Sequence, residues 1–405
     1  MVNIAILGYG TVGSGVVEVL ETNQASINKK AGEEINIKYV LDLRDFPGDK
    51  IQEKIVHDYE VIVNDPEVSI VVEVMGGVEP AYTFAKRALE SGKSVCTSNK
   101  ELVAAHGSEL LAIARKKEIN FLFEASCGGG IPIIRPLNSS LTADEIDEIT
   151  GILNGTTNYI LSEMSHKGSN FDDVLKKAQE LGYAERNPEA DVEGYDACRK
   201  IAILSSLAFG RQVDYQDIYT EGITKITDID IKYAKAMGYN IKLLASSKKV
   251  EDSFYAMVVP MMINDEHPLY SVNGVFNAIF VHGNVLGDVM FYGSGAGKLP
   301  TASAVVADVV DAAKHLNRNI MTFWSSKKLE LTDISNAQGR FFVRVKGNEK
   351  DHLDQIKSVF GDVEIITLPE VTGEFGFVTE ILTEKSYKEK AENLSGIIGM
   401  IRVEI

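Results

Sequence analysis

Apolar positions along the chain fall into short runs and helical repeats, separated by glycine-rich turns. Residues 2–7, VNIAIL, form a run that reads as a buried strand. Gly8-Tyr9-Gly10-Thr11-Val12-Gly13 follows at once, and Val12, Val16, Val17 and Leu20 then recur at helical spacing, as one long helix would. Further strands are expected over 35–41, 70–75, 94–97 and 120–124, with a short extended piece at 61–63. Helices are expected over 80–91 and about 101–117. This alternation of strand and helix predicts an α/β unit built on a mostly parallel, Rossmann-type sheet.

Glycine turns continue to punctuate the middle of the chain. Residues 124–132, EASCGGGIP, expose backbone on leaving the sheet, and 151–158 form a second turn that enters a helix reaching Lys167. A third turn, 292–297, precedes a helical run from about 301 to 313. Between them, helices fit 171–181, 196–209 and 228–238, and strands fit 254–262 and 275–282, which makes a mixed α+β second domain. The pattern breaks over 318–340. Beyond it come a strand at 341–345, a helix at 351–359, strands at 362–368 and 375–382, a helix at 386–394 and a last strand at 397–405. That order, β-α-β-β-α-β, is ferredoxin-like. The expected domains are 1–133, with helix 301–315 packing back on it, then 134–320, and finally 341–405.

Composition narrows the function. The 405 residues are 45% hydrophobic, enough for two or three globular domains. The net charge is −17 with no basic cluster, which argues against a nucleic-acid partner. The three cysteines, Cys96, Cys127 and Cys198, are far apart and suggest neither a disulfide framework nor a thiolate metal site. The seven histidines have no metal-ligand spacing. No apolar run has membrane-spanning length, and the start lacks a basic leader, so a cytoplasmic protein is expected.

Strand, glycine turn and helix together are the context in which Gly8, Gly10 and Gly13 signal a dinucleotide. Gly8 permits the tight turn, Gly10 lets a pyrophosphate approach the backbone, and Gly13 lets helix and strand pack closely. Asp42, 29 residues after Gly13, ends the second strand and is placed for ribose hydroxyls, whereas Arg44 suits a 2′-phosphate. Gly76-Gly77 and Ser98-Asn99-Lys100 stand at other strand ends, where ligands bind in such sheets. The most charged stretch is 182–200, GYAERNPEADVEGYDACRK. It holds Glu185, Glu189, Asp191, Glu193 and Asp196, and Lys200 shares a helix face with Asp196 four residues before it. An acidic surface loop with a solvated ion pair and a polar ligand site both fit this stretch alone.

These stretches, taken together and in order, resemble homoserine dehydrogenase. The resemblance rests on Gly8-x-Gly10-x-x-Gly13, Glu73 with Gly76-Gly77, Thr97-Ser98-Asn99-Lys100, 124–132, 151–158, 182–200 and 292–297. It implies reversible reduction of L-aspartate 4-semialdehyde to L-homoserine with NAD or NADP. It implies that Lys200 and Lys100 are catalytic, with Glu185, Asp191, Asp196, Gly155, Thr156 and Tyr183 on the substrate. Gly8, Gly10, Thr11, Val12, Gly13, Asp42, Arg44, Gly76, Gly77, Ser98, Asn99, Lys100 and Gly297 fall on the cofactor side. Glu124, with the backbone of Cys127, Gly129 and Ile131, matches a monovalent-cation site, sodium in the family. The same resemblance makes 1–133 the dinucleotide-binding domain, 134–320 a substrate-binding and dimerisation domain, and 341–405 an ACT-like regulatory or assembly domain. It implies a homodimer or homotetramer. Two rival classes are a dehydrogenase using Cys127 as nucleophile and a dinucleotide sensor without turnover. In the ACT-like part, the turn 346–353 has a glycine but no proline, so weak or absent inhibition by threonine is expected.

Overall fold

The computed structural model describes residues 1–404. The chain divides into two compact units, one of residues 1–146, 199–215 and 282–329, the other of 147–198, 216–281 and 330–405.

The first unit opens with β1 (Val2–Leu7), α1 (Thr11–Thr22), α2 (Gln24–Ala31), β2 (Ile35–Leu41), β3 (Ile55–Val56) and α3 (Tyr59–Val63). It continues with β4 (Val68–Glu73), α4 (Ala81–Glu90), β5 (Ser94–Thr97), α5 (Lys100–Lys116) and β6 (Phe121–Leu122). The strands form a parallel sheet in the order β3-β2-β1-β4-β5-β6. Its strands are nearly continuous runs of buried aliphatic residues, as expected when helices cover both faces. At Gly15 the helix Lys298–Lys314 comes so close that a Cβ would lie 2.9 Å from the Lys298 carbonyl oxygen and 3.0 Å from the Ala302 Cβ.

Three local readings are corrected here. The long first helix is two helices that break at Asn23, and α2 accounts for the late arrival of Asp42. Residues 61–63 belong to a helix rather than an extended piece, because the Asp58 carboxylate caps it at Glu60 N and Tyr59, Ile62 and Val63 are buried at helical spacing. Of 120–124 only Phe121–Leu122 is strand, and a 3₁₀ turn, Glu124–Ser126, follows.

The rest of the chain runs through β7 (Ile146–Ile152), α6 (Gly155–Lys167), α7 (Phe171–Glu180), α8 (Glu189–Val192), α9 (Tyr195–Phe209), β8 (Arg211–Gln212), β9 (Tyr219–Thr220) and α10 (Asp228–Ala236). Next come β10 (Asn240–Val250), β11 (Ser253–Ile263), β12 (Phe276–Gly283), β13 (Gly287–Ser294), α11 (Lys298–Lys314) and β14 (Ser325–Lys328). The chain finishes with β15 (Gln338–Lys346), α12 (Glu349–Phe360), β16 (Val363–Ile366), β17 (Glu374–Thr379), β18 (Leu382–Thr383), α13 (Glu384–Ala391) and β19 (Ile397–Val403). In the second unit the sheet order is β12-β7-β10-β11-β19-β15-β17-β16. β10 and β11 pair antiparallel along their whole length, from Asn240↔Ile263 to Val250↔Ser253.

The C-terminal β-α-β-β-α-β segment has its own core of Phe341, Val343, Val345, Ile356, Phe360, Phe375, Phe377 and Tyr387. Its last strand nevertheless joins the larger sheet, since Met261↔Arg402 and Met262↔Val403 pair β11 with β19. Ile405, the end of the expected last strand, lies outside the described residues. Gly151 and Ile152 prove to be strand, so the second glycine turn begins at Leu153, and Tyr292-Gly293-Ser294 likewise end β13. Neither β7 nor β10 was expected. Both carry polar side chains that the fold buries, including Thr150, Lys242, Ser246 and Ser247, and these break the apolar signature of a strand.

Three cations are buried in this unit. Arg344 pairs with Asp230 at 2.8 Å and with Glu374 at 2.8 Å, and Arg402 pairs with Glu221 at 2.9 Å and with Glu384. Lys242, 2% exposed, donates to Val272 O at 2.6 Å, Asn273 Oδ1 at 2.9 Å and Asn158 Oδ1 at 3.4 Å. These acceptors are uncharged, and burial pushes the Lys242 ammonium down to about 8. Below that pH both the folded and the unfolded chain hold the proton. Between about 8 and the ordinary lysine value near 10.4 only the unfolded chain holds it, so this group makes stability rise with pH there. The wild-type chain is therefore expected to gain up to about 3 kcal/mol relative to Lys242→Met between pH 7 and 10. Urea midpoints of both proteins at the two pH values measure this, and parallel pH profiles would contradict it.

Candidate active site

In the first unit the sheet's C-terminal edge carries an open glycine cradle between β1 and α1. Gly8 has φ +97°, a left-handed conformation that glycine adopts without strain. A Cβ at Gly13 would sit 2.0 Å from the Gly8 carbonyl oxygen, so no side chain fits there. A Cβ at Gly10 would meet no atom within 4 Å, and that space lies at the start of α1. Thr11 and Val12 open this helix; it has no side-chain cap and no acid in its first turn. Its first N–H groups therefore suit an anion.

Asp42 directly follows β2 and accepts from Tyr9 N at 2.9 Å. Arg44 folds over it and donates from Nε to Oδ1 at 2.9 Å and from Nη2 to Oδ2 at 3.0 Å. The guanidinium holds the Asp42 carboxyl well below the usual carboxylate range. The two residues read from the sequence as alternatives thus form one ion pair.

At the ends of β4 and β5, buried Glu73 accepts from Met75 N at 2.7 Å and from the Thr97 hydroxyl at 2.5 Å. Thr97 Oγ1 in turn accepts from Asn99 N, and Asn99 Nδ2 donates to Gly77 O at 2.7 Å. Burial raises the Glu73 carboxyl to about 7. This network ties the Gly76-Gly77 turn to the Ser98-Asn99 turn, and Asn99 caps the helix that Lys100 begins.

Lys200 is buried on α9. The residues beside the two lysines approach each other, with Arg199 Nε 4.0 Å from Glu101 Oε1. The Cys127 thiol donates to the Lys200 carbonyl at 3.7 Å and is fully buried, which denies it the access a nucleophile needs. In the same loop the Glu124 carboxylate accepts from the backbone N–H groups of Ile133, Ile134 and Arg135 at 2.5, 2.8 and 2.8 Å. Gly129 has φ +55° and sits against Gly295, where a Cβ would be 2.5 Å from the Gly295 carbonyl. Gly297, at φ +120°, starts α11. Beneath this loop lies Asp308, which accepts from Glu124 N at 2.8 Å and from Arg135 Nη2 at 2.6 Å. Burial and the Glu124 charge push the Asp308 carboxyl up to about 8. Among the described residues no group of three or more His, Cys, Asp or Glu side chains could hold a metal ion.

In the second unit one amide gathers two acids. Asn154 caps α6 through its Oδ1, which accepts from Thr157 N at 2.9 Å. Its Nδ2 donates to Asp191 Oδ1 at 2.7 Å and to Asp196 Oδ2 at 2.9 Å. Asp191 is in α8, Asp196 is in the first turn of α9, and Gly194 at φ +82° makes the bend between them. Gly155 is bare of necessity, since a Cβ would lie 2.8 Å from the Val275 carbonyl oxygen. Thr156 Oγ1 donates to Tyr183 O at 2.5 Å, and the Tyr183 ring meets Tyr159 edge-on at 5.0 Å. Glu185 lies in the exposed turn after α7, and no described contact joins its carboxylate to the Asp191–Asp196 pair.

Sequence reasoning overlooked Asn154 as the residue that gathers the acids, although an Asn directly before Gly-Thr-Thr is a helix-cap signal. It also overlooked the Asp308–Arg135 pair, which has no local signal because the partners meet only in the folded chain.

Known proteins resemble this chain along its length. Residues 8–124 match the family model described as homoserine dehydrogenase, NAD binding domain, and residues 132–310 match the model described as homoserine dehydrogenase. The homoserine dehydrogenase of Pseudomonas aeruginosa is 38% identical, over 100% of this chain and 99% of its own. A homoserine dehydrogenase structure from Thiobacillus denitrificans superposes with a TM-score of 0.89 at 36% identity, covering 100% of this chain and 98% of that one. A hyperthermophilic archaeal homoserine dehydrogenase mutant in complex with NADPH superposes with a TM-score of 0.65 at 30% identity, covering 77% of this chain and 97% of that one.

Proposed function

Because the chain belongs to the homoserine dehydrogenase family of NAD(P)-dependent oxidoreductases, we propose that Lys200, Lys100 and the Asp191–Asp196 pair carry its reversible conversion of L-aspartate 4-semialdehyde to L-homoserine. The observation behind this reading is the helix α9. It carries Asp196 and Lys200 four residues apart, both buried, so the two side chains leave one face of the helix from Cβ atoms about 6 Å apart. Asp196 with Asp191 anchors the substrate ammonium by charge-assisted hydrogen bonds. Lys200 then meets the oxygen, stabilises the negative charge that develops on it and delivers a proton. Lys100, at the first turn of α5, lends a second positive charge. Thr156, Tyr183, Gly155 and Glu185 complete the proposed substrate-binding set, Glu185 from its exposed turn. When bound, the nicotinamide supplies the hydride. A homodimer or homotetramer and a cytoplasmic setting come with this reading.

A monovalent cation, sodium, would be held in the loop 124–131 by Glu124 with the backbone of Cys127, Gly129 and Ile131. The support is electrostatic, since Glu124 and Asp311 share one arginine, Arg135, and the Asp308 carboxyl, raised by burial and the Glu124 charge, reports an excess of negative charge around it. The cation would hold the glycine loop against α9 beside Lys200.

Lys200→Ala is expected to lower kcat by at least about 10²-fold while leaving the NADPH dissociation constant unchanged. Homoserine oxidation followed at saturating cofactor measures the first, and fluorescence titration the second. Wild-type turnover would remove Lys200 from the mechanism.

Both cofactors are expected to serve. Asp42 suits the ribose hydroxyls of NAD, and the Arg44 guanidinium that covers it offsets its repulsion of a 2′-phosphate. Comparing kcat/KM for the two decides this, and a preference above about 100-fold, roughly 2.7 kcal/mol, would refute it.

Inhibition by threonine is expected to be weak or absent. Gly347, at φ +115°, is the glycine of the turn between β15 and α12, and its open side is filled by His352, whose Nε2 lies 2.8 Å from the Cβ position. With no proline in this turn and His352 against its glycine, the turn offers little backbone to a bound amino acid. Half-inhibition below about 1 mM at subsaturating homoserine, roughly −4.1 kcal/mol of binding, would contradict this.

A further inference from the structure

A continuous set of contacts inside the second unit runs from the last strand of the chain to the Asp191–Asp196 pair. It begins at Arg402 on β19, 5% exposed, whose Nη1 donates to Glu221 Oε2 at 2.9 Å while Nε and Nη2 hold Glu384. Its guanidinium also lies over the Tyr219 ring, 5.4 Å from the centroid. Glu221 follows directly on the short strand β9, and Glu221 N is fixed to Val258 O at 2.8 Å. Two residues on, Ile223 N donates to Val192 O at 2.8 Å, and Thr224 Oγ1 donates to Glu193 Oε1 at 3.0 Å. Gly222, between these anchors, presses on the same two residues. A Cβ there would lie 2.3 Å from the Val192 carbonyl oxygen and 2.5 Å from Glu193 Cα. Gly194 is held in turn, since a Cβ at its position would be 3.1 Å from Thr220 Cγ2. Val192, Glu193 and Gly194 are part of the short link that joins Asp191 to Asp196.

We propose that Arg402 is a positioning residue for the substrate site, setting the spacing of Asp191 and Asp196 through Glu221 and the Gly222–Ile223 backbone. The proposal rests on the reading of those two carboxylates as the anchors of the substrate ammonium. It gives the C-terminal segment a part in every turnover, independent of any effector. The physical basis is the rigidity of each step. Arg402 is buried and its guanidinium is shared by two carboxylates, so its place is fixed. The next steps are backbone hydrogen bonds and a van der Waals contact with no free space, and neither absorbs a displacement. An ångström of error at a binding group is enough to lose much of its effect.

The test uses the full-length protein with four substitutions: Arg402→Met, Arg402→Lys, Gly222→Ala and Asp191→Asn. Arg402→Met and Gly222→Ala are expected to raise the KM for homoserine by about tenfold or more, with the NADPH dissociation constant within roughly twofold of wild type. Arg402→Lys keeps the charge and is expected to recover part of the loss. If Arg402→Met fails to fold, Arg402→Lys and Gly222→Ala carry the test, the first at the guanidinium and the second at the contact with Val192 and Glu193. A wild-type KM in folded Gly222→Ala and Arg402→Met, alongside a raised KM in Asp191→Asn, overturns the proposal and leaves the acid assignment standing. A wild-type KM in Asp191→Asn overturns the acid assignment itself, and this proposal with it. Parallel loss of NADPH and homoserine binding in Gly222→Ala marks a general structural role and also overturns it.

Discussion

Two neighbouring carboxylates repel each other, and in the second unit a single side chain holds Asp191 and Asp196 together. Asn154 does this with one amide nitrogen, which donates to both Asp191 and Asp196. The same side chain caps α6 with its oxygen, so the helix that begins the glycine turn and the acids that follow it are fixed by one residue. An aspartate in that place would add a third negative charge, and a serine could not span the pair. The amide is suited to the task because it carries a donor and an acceptor on one planar group.

Elsewhere the fold manages buried charge by two different devices. Arg344 and Arg402 each take two carboxylates, and each joins the C-terminal segment to residues 221–230 of the same unit. Lys242 has only neutral acceptors, three for its three protons, and these come from the loop 272–273 and from α6. A buried ion pair adds little net stability against an apolar equivalent, but breaking one leaves an unpaired charge behind. Such pairs make the register of β15 and β19 against the larger sheet intolerant of slippage.

In the first unit, order at the ligand-facing edge depends on a relay of polar groups rather than on packing. Glu73, Thr97 and Asn99 connect two strand ends and the glycine turn after β4. The aliphatic core lies on the other side of these turns, under helices such as Lys298–Lys314. Turn geometry and core stability can therefore vary independently, as expected where a common scaffold carries a particular site.

The sequence by itself determined the parts whose signal is local. The run 2–7 with its glycine turn, the helix carrying Asp196 and Lys200, and the β-α-β-β-α-β order of the C-terminal segment all rest on spacings within a few residues. Capping and glycine conformations act at the same range, and they were legible where they were looked for. Tertiary structure alone decided which polar residues would be buried. β10 was invisible because Lys242, Ser246 and Ser247 interrupt its apolar pattern, and each is covered only after distant segments fold over it. The sharing of Asn154 by two acids, the pairing of Asp42 with Arg44 and the alignment of Met261 with Arg402 were likewise out of reach. Hydrophobic periodicity records which face of an element meets the core, because burial of apolar surface is nondirectional and repeats with the element. A hydrogen bond between two side chains depends on distance and direction at one point in space, and nothing in the chain near either partner encodes that point.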